Sequence, residues 1–351
     1  MSAPPPTTHP DPSVSVILPI RNERAYIEDA LQALLTQERL PARYDILVVD
    51  GMSDDGTREI VQAIAARDPR VQLVDNEKRI VSSALNIGIA RAQGEIIIRV
   101  DGHTRVAPDF IRANLELLEE HPEASSVGGP IAHRGKTTFA RGVAAAMSSR
   151  FGVGGANHRR ETYEGYAEGA VFPAFRRTIF DQVGFFDEEL VRNQDDEFNF
   201  RITAGGGKIY ISPRVKHDYY VRGSVQALAQ QYVQYSYWKV AVFRKHRKIV
   251  AARHLAPVVF LVAAPACVIT AAIAPPPLSW VALAPLVAYG GLLTAAVISA
   301  GIRERSVAVG VCAGVATATM HVAYGTGTLL GILAGPGRSP FVRAIMAKIT
   351  R

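Results

Sequence analysis

Two long stretches without a formal charge set the limits on what this chain can fold into. Between residues 255 and 302, and again between 306 and 337, there is no Asp, Glu, Lys or Arg. An apolar helix of roughly 20 residues crosses the hydrocarbon core of a bilayer. The first stretch has room for two such helices, with Pro275-Pro276-Pro277 as the turn between them, and the second for one. A soluble core rarely runs this far without a charge. Residues 254–337 therefore read as a transmembrane region of three apolar segments, the chain as a multi-pass protein of the cell (inner or plasma) membrane.

Charge placement agrees. Of the net +7, six charges fall in residues 239–254, one in 303–305 and four in the basic C-terminal tail, 338–351, so the remainder carries −4. Basic residues beside apolar spans meet anionic lipid head groups, and the mildly acidic remainder argues against nucleic acid as a partner. Cys267 and Cys312 both lie in the apolar region and offer no disulfide or zinc framework. Residues 1–12 are Pro-rich and read as a disordered tail rather than a signal peptide, which places the globular part in the cytoplasm. Three crossings from there would leave the basic tail outside, against the positive-inside tendency. Gly325, Gly327, Gly331 and Gly335 offer an alternative, a last segment broken into a re-entrant pair.

Residues 13–223 alternate strands and helices at α/β spacing. Val14 to Pro19 is a strand, and Glu23 to Gln37 is helical by Ile27, Leu31, Leu34 and Leu35. Tyr44 to Val49 is a second strand, ending in the polar turn Asp50-Gly-Met-Ser-Asp54-Asp-Gly-Thr57. Glu95 to Val100 is a buried strand that stops at Asp101-Gly-His103. Ligands sit at the carboxyl ends of strands in open α/β sheets, where a carboxylate and an imidazole two residues apart both reach one divalent ion. Alone, that pattern is more often a polar turn opening a helix at Pro108. The first strand lacks a Gly-x-Gly-x-x-Gly turn and there is no P-loop, so a metal and basic side chains must hold the phosphates of any nucleotide.

Further on, residues 150–160 read as a Gly-rich basic loop, a mobile linker or a substrate grip. Gln194-Asp195-Asp196-Glu197 opens a helix with acids, which its dipole favours. Residues 215–220, with His217, read as a short strand. Residues 224–253 form an amphipathic helix suited to the membrane interface, with domain packing as the alternative.

Taken together, residues 14–23 (VSVILPIRNE), Asp50-Gly-x-Ser-x-Asp-Gly-Thr57, Asp101-x-His103 and Gln194-Asp-Asp-Glu197 resemble the family-2 glycosyltransferases of GT-A fold. Lys78-Arg79, Ala84-Leu-Asn86 and the segment from Gln231 to Trp238 look closer still to the membrane-anchored glycosyltransferases of the succinoglycan type. The resemblance implies an α/β, Rossmann-like GT-A domain that binds a nucleotide sugar, then an interface helix and transmembrane helices. It implies an inverting, metal-dependent transfer from a nucleotide diphosphate sugar, usually a UDP-sugar, to a polyprenyl-linked saccharide at the lipid bilayer. Two alternatives stay open: transfer to polyprenyl phosphate itself, or a non-catalytic nucleotide-sugar-binding subunit.

Residue by residue, the resemblance implies Asp101, His103 and His217 as ligands of Mn²⁺ or Mg²⁺. Pro19, Arg21, Glu23, Asp50 and Asp54 match positions around base and ribose, Lys78 and Arg79 flank the nucleotide, and Asp101 and Arg222 serve the diphosphate. Asp195 is the implied catalytic base, with Asp196 the alternative. Gln231, Tyr235 and Trp238 match the acceptor and interface segment, which lacks the Arg of the processive Gln-x-x-Arg-Trp signature and so favours one sugar added per acceptor.

Overall fold

A computed structural model of the chain describes residues 12–247 and 254–335. Residues 1–11 of the expected tail, the end of the expected interface helix at 248–253 and the basic tail at 338–351 lie outside the described residues. The chain separates into two compact units. Unit 1 is the described part of Met1–Gly129 with Glu164–Glu188 and Arg201–His217; unit 2 is Pro130–Tyr163, Glu189–Phe200 and the described part of Asp218–Arg351. The sequence alone suggested a boundary at residue 223. Instead two internal segments, Pro130–Tyr163 and Glu189–Phe200, cluster with the C-terminal helices.

Unit 1 begins with β1 (Val14–Ile20), α1 (Ile27–Leu35), β2 (Tyr44–Asp50), α2 (Thr57–Ala65), β3 (Val71–Asp75), α3 (Val81–Arg91), β4 (Ile96–Arg99), α4 (Phe110–Glu120) and β5 (Ala124–Gly129). The chain then contributes β6 (His133–Arg134), α5 (Thr138–Met147), α6 (Arg150–Val153) and a 3₁₀ turn, Asn157–Arg159, to unit 2. Residues 150–160, expected as a loop, thus hold two short helical turns. Unit 1 resumes with β7 (Gly165–Tyr166), β8 (Val171–Arg176) and α7 (Thr178–Val183); α8 (Gln194–Ala204) runs from unit 2 into unit 1, and β9 (Lys208–Ile211) follows.

Eight of these strands form one sheet in the order β3-β2-β1-β4-β8-β5-β9-β7. The first four are parallel, and β8 enters antiparallel between β4 and β5. All seven residues of β1 are buried because both faces are covered, as its unbroken apolar run requires. Val16, Leu18 and Ile20 pack with Ile27, Leu31 and Leu34 of α1 and Phe110 of α4, while α3 lies against β1 and β2. Pro19 has no N–H for a ladder, and the β1–β4 pairing ends at Ile17↔Arg99. Beyond that point β4 is released from the sheet and the Asp101 loop begins.

Two expected boundaries move for local reasons. The first helix starts at Ile27, not Glu23, because Asn22 adopts a left-handed φ of 56° and the Glu23 N–H is taken by Thr57 Oγ1 at 2.9 Å. His217 makes an isolated bridge to Val106 instead of extending a strand.

In unit 2, β10 (Tyr219–Tyr220) pairs with β6, and α9 (Val225–His246), α10 (Ala256–Ile273), α11 (Leu278–Arg303) and α12 (Val307–Ala334) follow. Ser224 caps α9 by accepting the Ala227 N–H at 3.2 Å. Leu228 and Tyr232 of α9 share an apolar cluster with Val143, Ala146 and Met147 of α5 and Ala316, Met320 and Ala323 of α12. The stripe expected to face lipid head groups is therefore covered by protein, and α9 is a packing helix.

The last three helices, of 18, 26 and 28 residues, are long and apolar enough to cross a membrane. The longest, α12, is unbroken, so the re-entrant alternative does not form. Its glycines are contact points: a Cβ at Gly327 would lie 2.1 Å from Ser236 Oγ and 2.2 Å from the Val233 carbonyl of α9. Nothing larger than Gly fits there.

Candidate functional site

The carboxyl ends of β1 and β2 in unit 1 are tied together by polar side chains. Asp50 is fully buried; it accepts the Ser53 N–H at 3.0 Å, the Ser53 hydroxyl, and Arg58 Nη1 at 2.5 Å. The second arm of Arg58 reaches Asp75 at 2.7 Å, so one guanidinium joins the ends of β2 and β3 and its proton is held more tightly by the two carboxylates, Asp75 foremost. Asn22 donates to Asp54 at 3.0 Å and accepts the Asp54 N–H at 3.1 Å. Asp54 therefore clasps the β1 loop, and Arg58 is the residue here that sequence reading missed. Pro19 is buried in β1, and Arg21 is exposed on the adjoining lip.

Past β4, Asp101 receives Arg99 at 3.0 Å, and His103 Nδ1 lies 2.9 Å from Glu23 Oε1. Glu23, expected at the nucleotide, orients this imidazole. Between them, Gly102 is obligatory, since a Cβ would sit 2.6 Å from Ile20 Cγ2. Asp101 and His103 remain accessible, with 28% and 51% of their side chains exposed. His217 is buried, its ring edge-on to Phe172 at 4.9 Å and packed on Gly129. Among the described residues no three His, Cys, Asp or Glu side chains are gathered as a ligand set. The three residues expected to share a metal are thus two on the lip and one in the core.

Lys78 pairs with Glu188 at 2.5 Å, and Glu188 also accepts Asn86 Nδ2 at 2.9 Å. Lys78 first, then Asn86, hold the Glu188 carboxyl below its ordinary range. Arg79 follows in a left-handed conformation, φ 60°. No sequence signal pointed to Glu188, whose partners lie about a hundred residues away.

In unit 2, the acids opening α8 have separate fates. Glu197 is buried and receives Lys245 at 2.8 Å and His246 at 3.0 Å. Asp196 is engaged by Lys239. Partial desolvation works against charge on the half-exposed Asp196 carboxyl, but the Lys239 ammonium, with His158 and Arg159, outweighs it and holds the group low. Asp195 is exposed, accepts the Asp196 N–H at 2.9 Å, and meets no cation among the described residues. Gln231 donates to Tyr219 at 3.1 Å and Tyr235 at 3.0 Å, while Trp238 packs elsewhere, with Leu190, Tyr237 and Val242. Arg222 is exposed between β10 and α9.

Comparison with known proteins identifies the family and the fold. The family described as glycosyl transferase family 2 matches residues 15–184. The succinoglycan biosynthesis protein ExoA of Rhizobium meliloti is 31% identical over 320 residues, 89% of this chain and 92% of that protein. The dolichyl N-acetyl-alpha-D-glucosaminyl phosphate 3-beta-D-2,3-diacetamido-2,3-dideoxy-beta-D-glucuronosyltransferase of Methanococcus voltae is 28% identical over 239 residues, 66% of this chain and 74% of that one. Among solved structures, the mannosyltransferase PcManGT from Pyrobaculum calidifontis, in complex with GDP-Man and Mn²⁺, has a TM-score of 0.65 at 22% identity over 95% of this chain and 90% of that chain, and shares the fold. The chain belongs to glycosyl transferase family 2: it is a glycosyltransferase with a GT-A-like α/β domain and C-terminal helices apolar enough to span a membrane.

Proposed function

We propose that the enzyme is an inverting, divalent-metal-dependent transferase that moves a sugar from a nucleotide diphosphate sugar, a UDP-sugar, to a lipid-linked saccharide in exopolysaccharide or cell-envelope glycan synthesis. The observation that carries the reading is the asymmetry of the acids at the start of α8. A general base must be accessible and not already bound to a cation. Asp195 meets these conditions and Asp196, held by Lys239, does not. Asp195 is thus the group that takes the proton from the acceptor hydroxyl.

Asp101 and His103 fit a divalent ion. The Nδ1–H of His103, donated to Glu23, sets the tautomer in which Nε2 carries the lone pair. Two protein ligands suit a small hard cation that keeps water and phosphate oxygens in its shell. Bound Mn²⁺ or Mg²⁺ supplies neutralisation of the charge that develops on the leaving diphosphate. We assign the base and ribose to the lip formed by Arg21, Asp50 and Arg79.

The relatives support the finer parts: PcManGT was solved with GDP-Man and Mn²⁺, the Rhizobium protein is named for succinoglycan biosynthesis, and the Methanococcus enzyme for a dolichyl-linked substrate. The basic residues 239–247 before α10 favour a cytoplasmic side for the catalytic groups.

The test is binding of a nucleotide-sugar panel to the purified full-length protein in lipid, with Mn²⁺, Mg²⁺ or chelator. Metal-dependent binding of one donor, lost in Asp101→Ala, is expected. Equal binding with and without chelator removes the metal assignment, and no binding of any donor removes the transferase reading of the site.

A further inference from the structure

Two half-buried arginines of unit 2, Arg159 and Arg192, lie among tyrosine hydroxyls. Arg159, at the end of the 3₁₀ turn, interacts with Tyr232, Tyr235, Asp196 and Tyr219. Arg192 interacts with Tyr235, and His158 with Asp196. Asp196 is the carboxylate that Arg159 and His158 share, and Lys239 already engages it. The Tyr232 hydroxyl is within reach of Arg159 but makes no well-formed hydrogen bond with its Nη1, and Arg192 Nε is likewise buried without an acceptor among the described residues. A buried N–H without a partner costs the desolvation of that group, and a buried cation needs a compensating charge. Two such N–H groups, one on each arginine, offer positions for the oxygens of an anion.

The surrounding hydroxyls are arranged to donate to it. The Gln231 amide donates to the oxygens of Tyr219 and Tyr235, so their O–H protons must point to some other acceptor. The Tyr235 hydroxyl is pushed up in pKa by Tyr219 and by burial, so it keeps its proton. Guanidinium forks and phenol donors together match a phosphate, whose oxygens take several charge-assisted bonds at once. The anion that fits is one attached to a membrane lipid. Tyr232 lies in the same cluster as Ala316, Met320 and Ala323 of the membrane-spanning α12, and Asp196 is the chain neighbour of the proposed base.

We propose that Arg159, Arg192, Tyr219, Tyr232 and Tyr235 form an oxyanion site that seats the phosphate of a lipid-borne acceptor. The proposal rests on the acceptor reading given above. It separates phosphate recognition, in unit 2, from the nucleotide lip built by unit 1.

The experiment uses the full-length protein in phosphatidylcholine nanodiscs, titrated with farnesyl diphosphate, farnesol and inorganic pyrophosphate. Saturable binding of farnesyl diphosphate is expected, with farnesol not binding and pyrophosphate far weaker. Arg159→Gln should weaken the farnesyl diphosphate by about 10- to 100-fold, the loss of one or two charge-assisted hydrogen bonds. Arg159→Lys should recover part of it, and Tyr235→Phe, which removes only a hydroxyl, should weaken it several-fold. The last two decide the matter if Arg159→Gln does not fold. UDP binding with metal should be unchanged in all three. Unchanged binding in the variants, or farnesol binding as well as the diphosphate, overturns the site. Pyrophosphate competing as strongly as the prenyl form overturns the lipid acceptor. Arginine-dependent prenyl diphosphate binding with no nucleotide-sugar binding would uphold the oxyanion site while refuting the transferase reading.

Discussion

Replacing Arg58 by Met tests how unit 1 holds its strand ends. The guanidinium reaches fully buried Asp50 at 2.5 Å and Asp75 at 2.7 Å, and 60% of the Asp75 side chain is in solvent. The Asp75 arm is screened by water and contributes at most about 1 kcal/mol. The Asp50 arm is different, because its loss leaves a buried carboxylate with only the Ser53 donors. Breaking a buried pair from one side costs about 3–5 kcal/mol. With 22% of Arg58 exposed, water can reach part of the vacated volume, which puts the expectation at the lower end, about 3 kcal/mol. For a unit of this size that is a fall in melting temperature of roughly 6–12 °C. The assay is thermal unfolding in detergent followed by the extended-strand amide band in the infrared. That band reports on the eight-stranded sheet, since the other sheet is a single two-residue pair. Asp50→Asn in the Arg58→Met background removes the stranded charge, so the double variant should melt higher than the sum of the singles predicts, with a coupling of about 2 kcal/mol. A shift under about 2 °C for Arg58→Met, or strict additivity in the double variant, would refute the reasoning.

Asp195→Asn should lower turnover about 10²- to 10⁴-fold, the worth of a general base, with nucleotide affinity unchanged. Asp196→Asn should act mainly by releasing Lys239, with a smaller loss; the reverse ranking in a turnover assay would move the base by one residue. The Glu188 carboxyl is held low by Lys78 and Asn86, so its ion pair contributes stability above the ordinary glutamate range, near pH 4.5, and loses it as pH falls through the depressed folded value. Wild type should therefore lose melting temperature more steeply than Lys78→Met on acidification below pH 4.5, and parallel curves would remove the pair from the stability balance.

What was legible in the sequence follows from which forces are local. The β1 run and the abrupt Asp-Gly-His stop announce a covered strand and its polar end, because burial on both faces and the strand terminus are written in consecutive residues. Arg58 was invisible, since its value lies in a partner on a neighbouring strand. Gly325, Gly327 and Gly331 read as interruptions by intrinsic propensity, yet here they are the places where helices touch, and tertiary packing overrides the preference. The stripe on α9 has the period of an interfacial helix and of a packed one alike, and periodicity cannot name the neighbour. The same limit applied to His217, whose ring the sequence placed near a strand end but could not place in the core.

The interleaving of the two units has a consequence in time. The chain passes between them five times, and the apolar face of α5 is made about 160 residues before α12, which covers it. At a synthesis rate of about 5–20 residues per second, Val143, Ala146 and Met147 wait roughly ten to thirty seconds for their partner. The sheet of unit 1 has all its strands by β9, well before that moment. Arrival of α12, the last described helix, is therefore the step that closes the apolar cluster of α5 and α9, so unit 2 is finished only after the sheet of unit 1 is already complete.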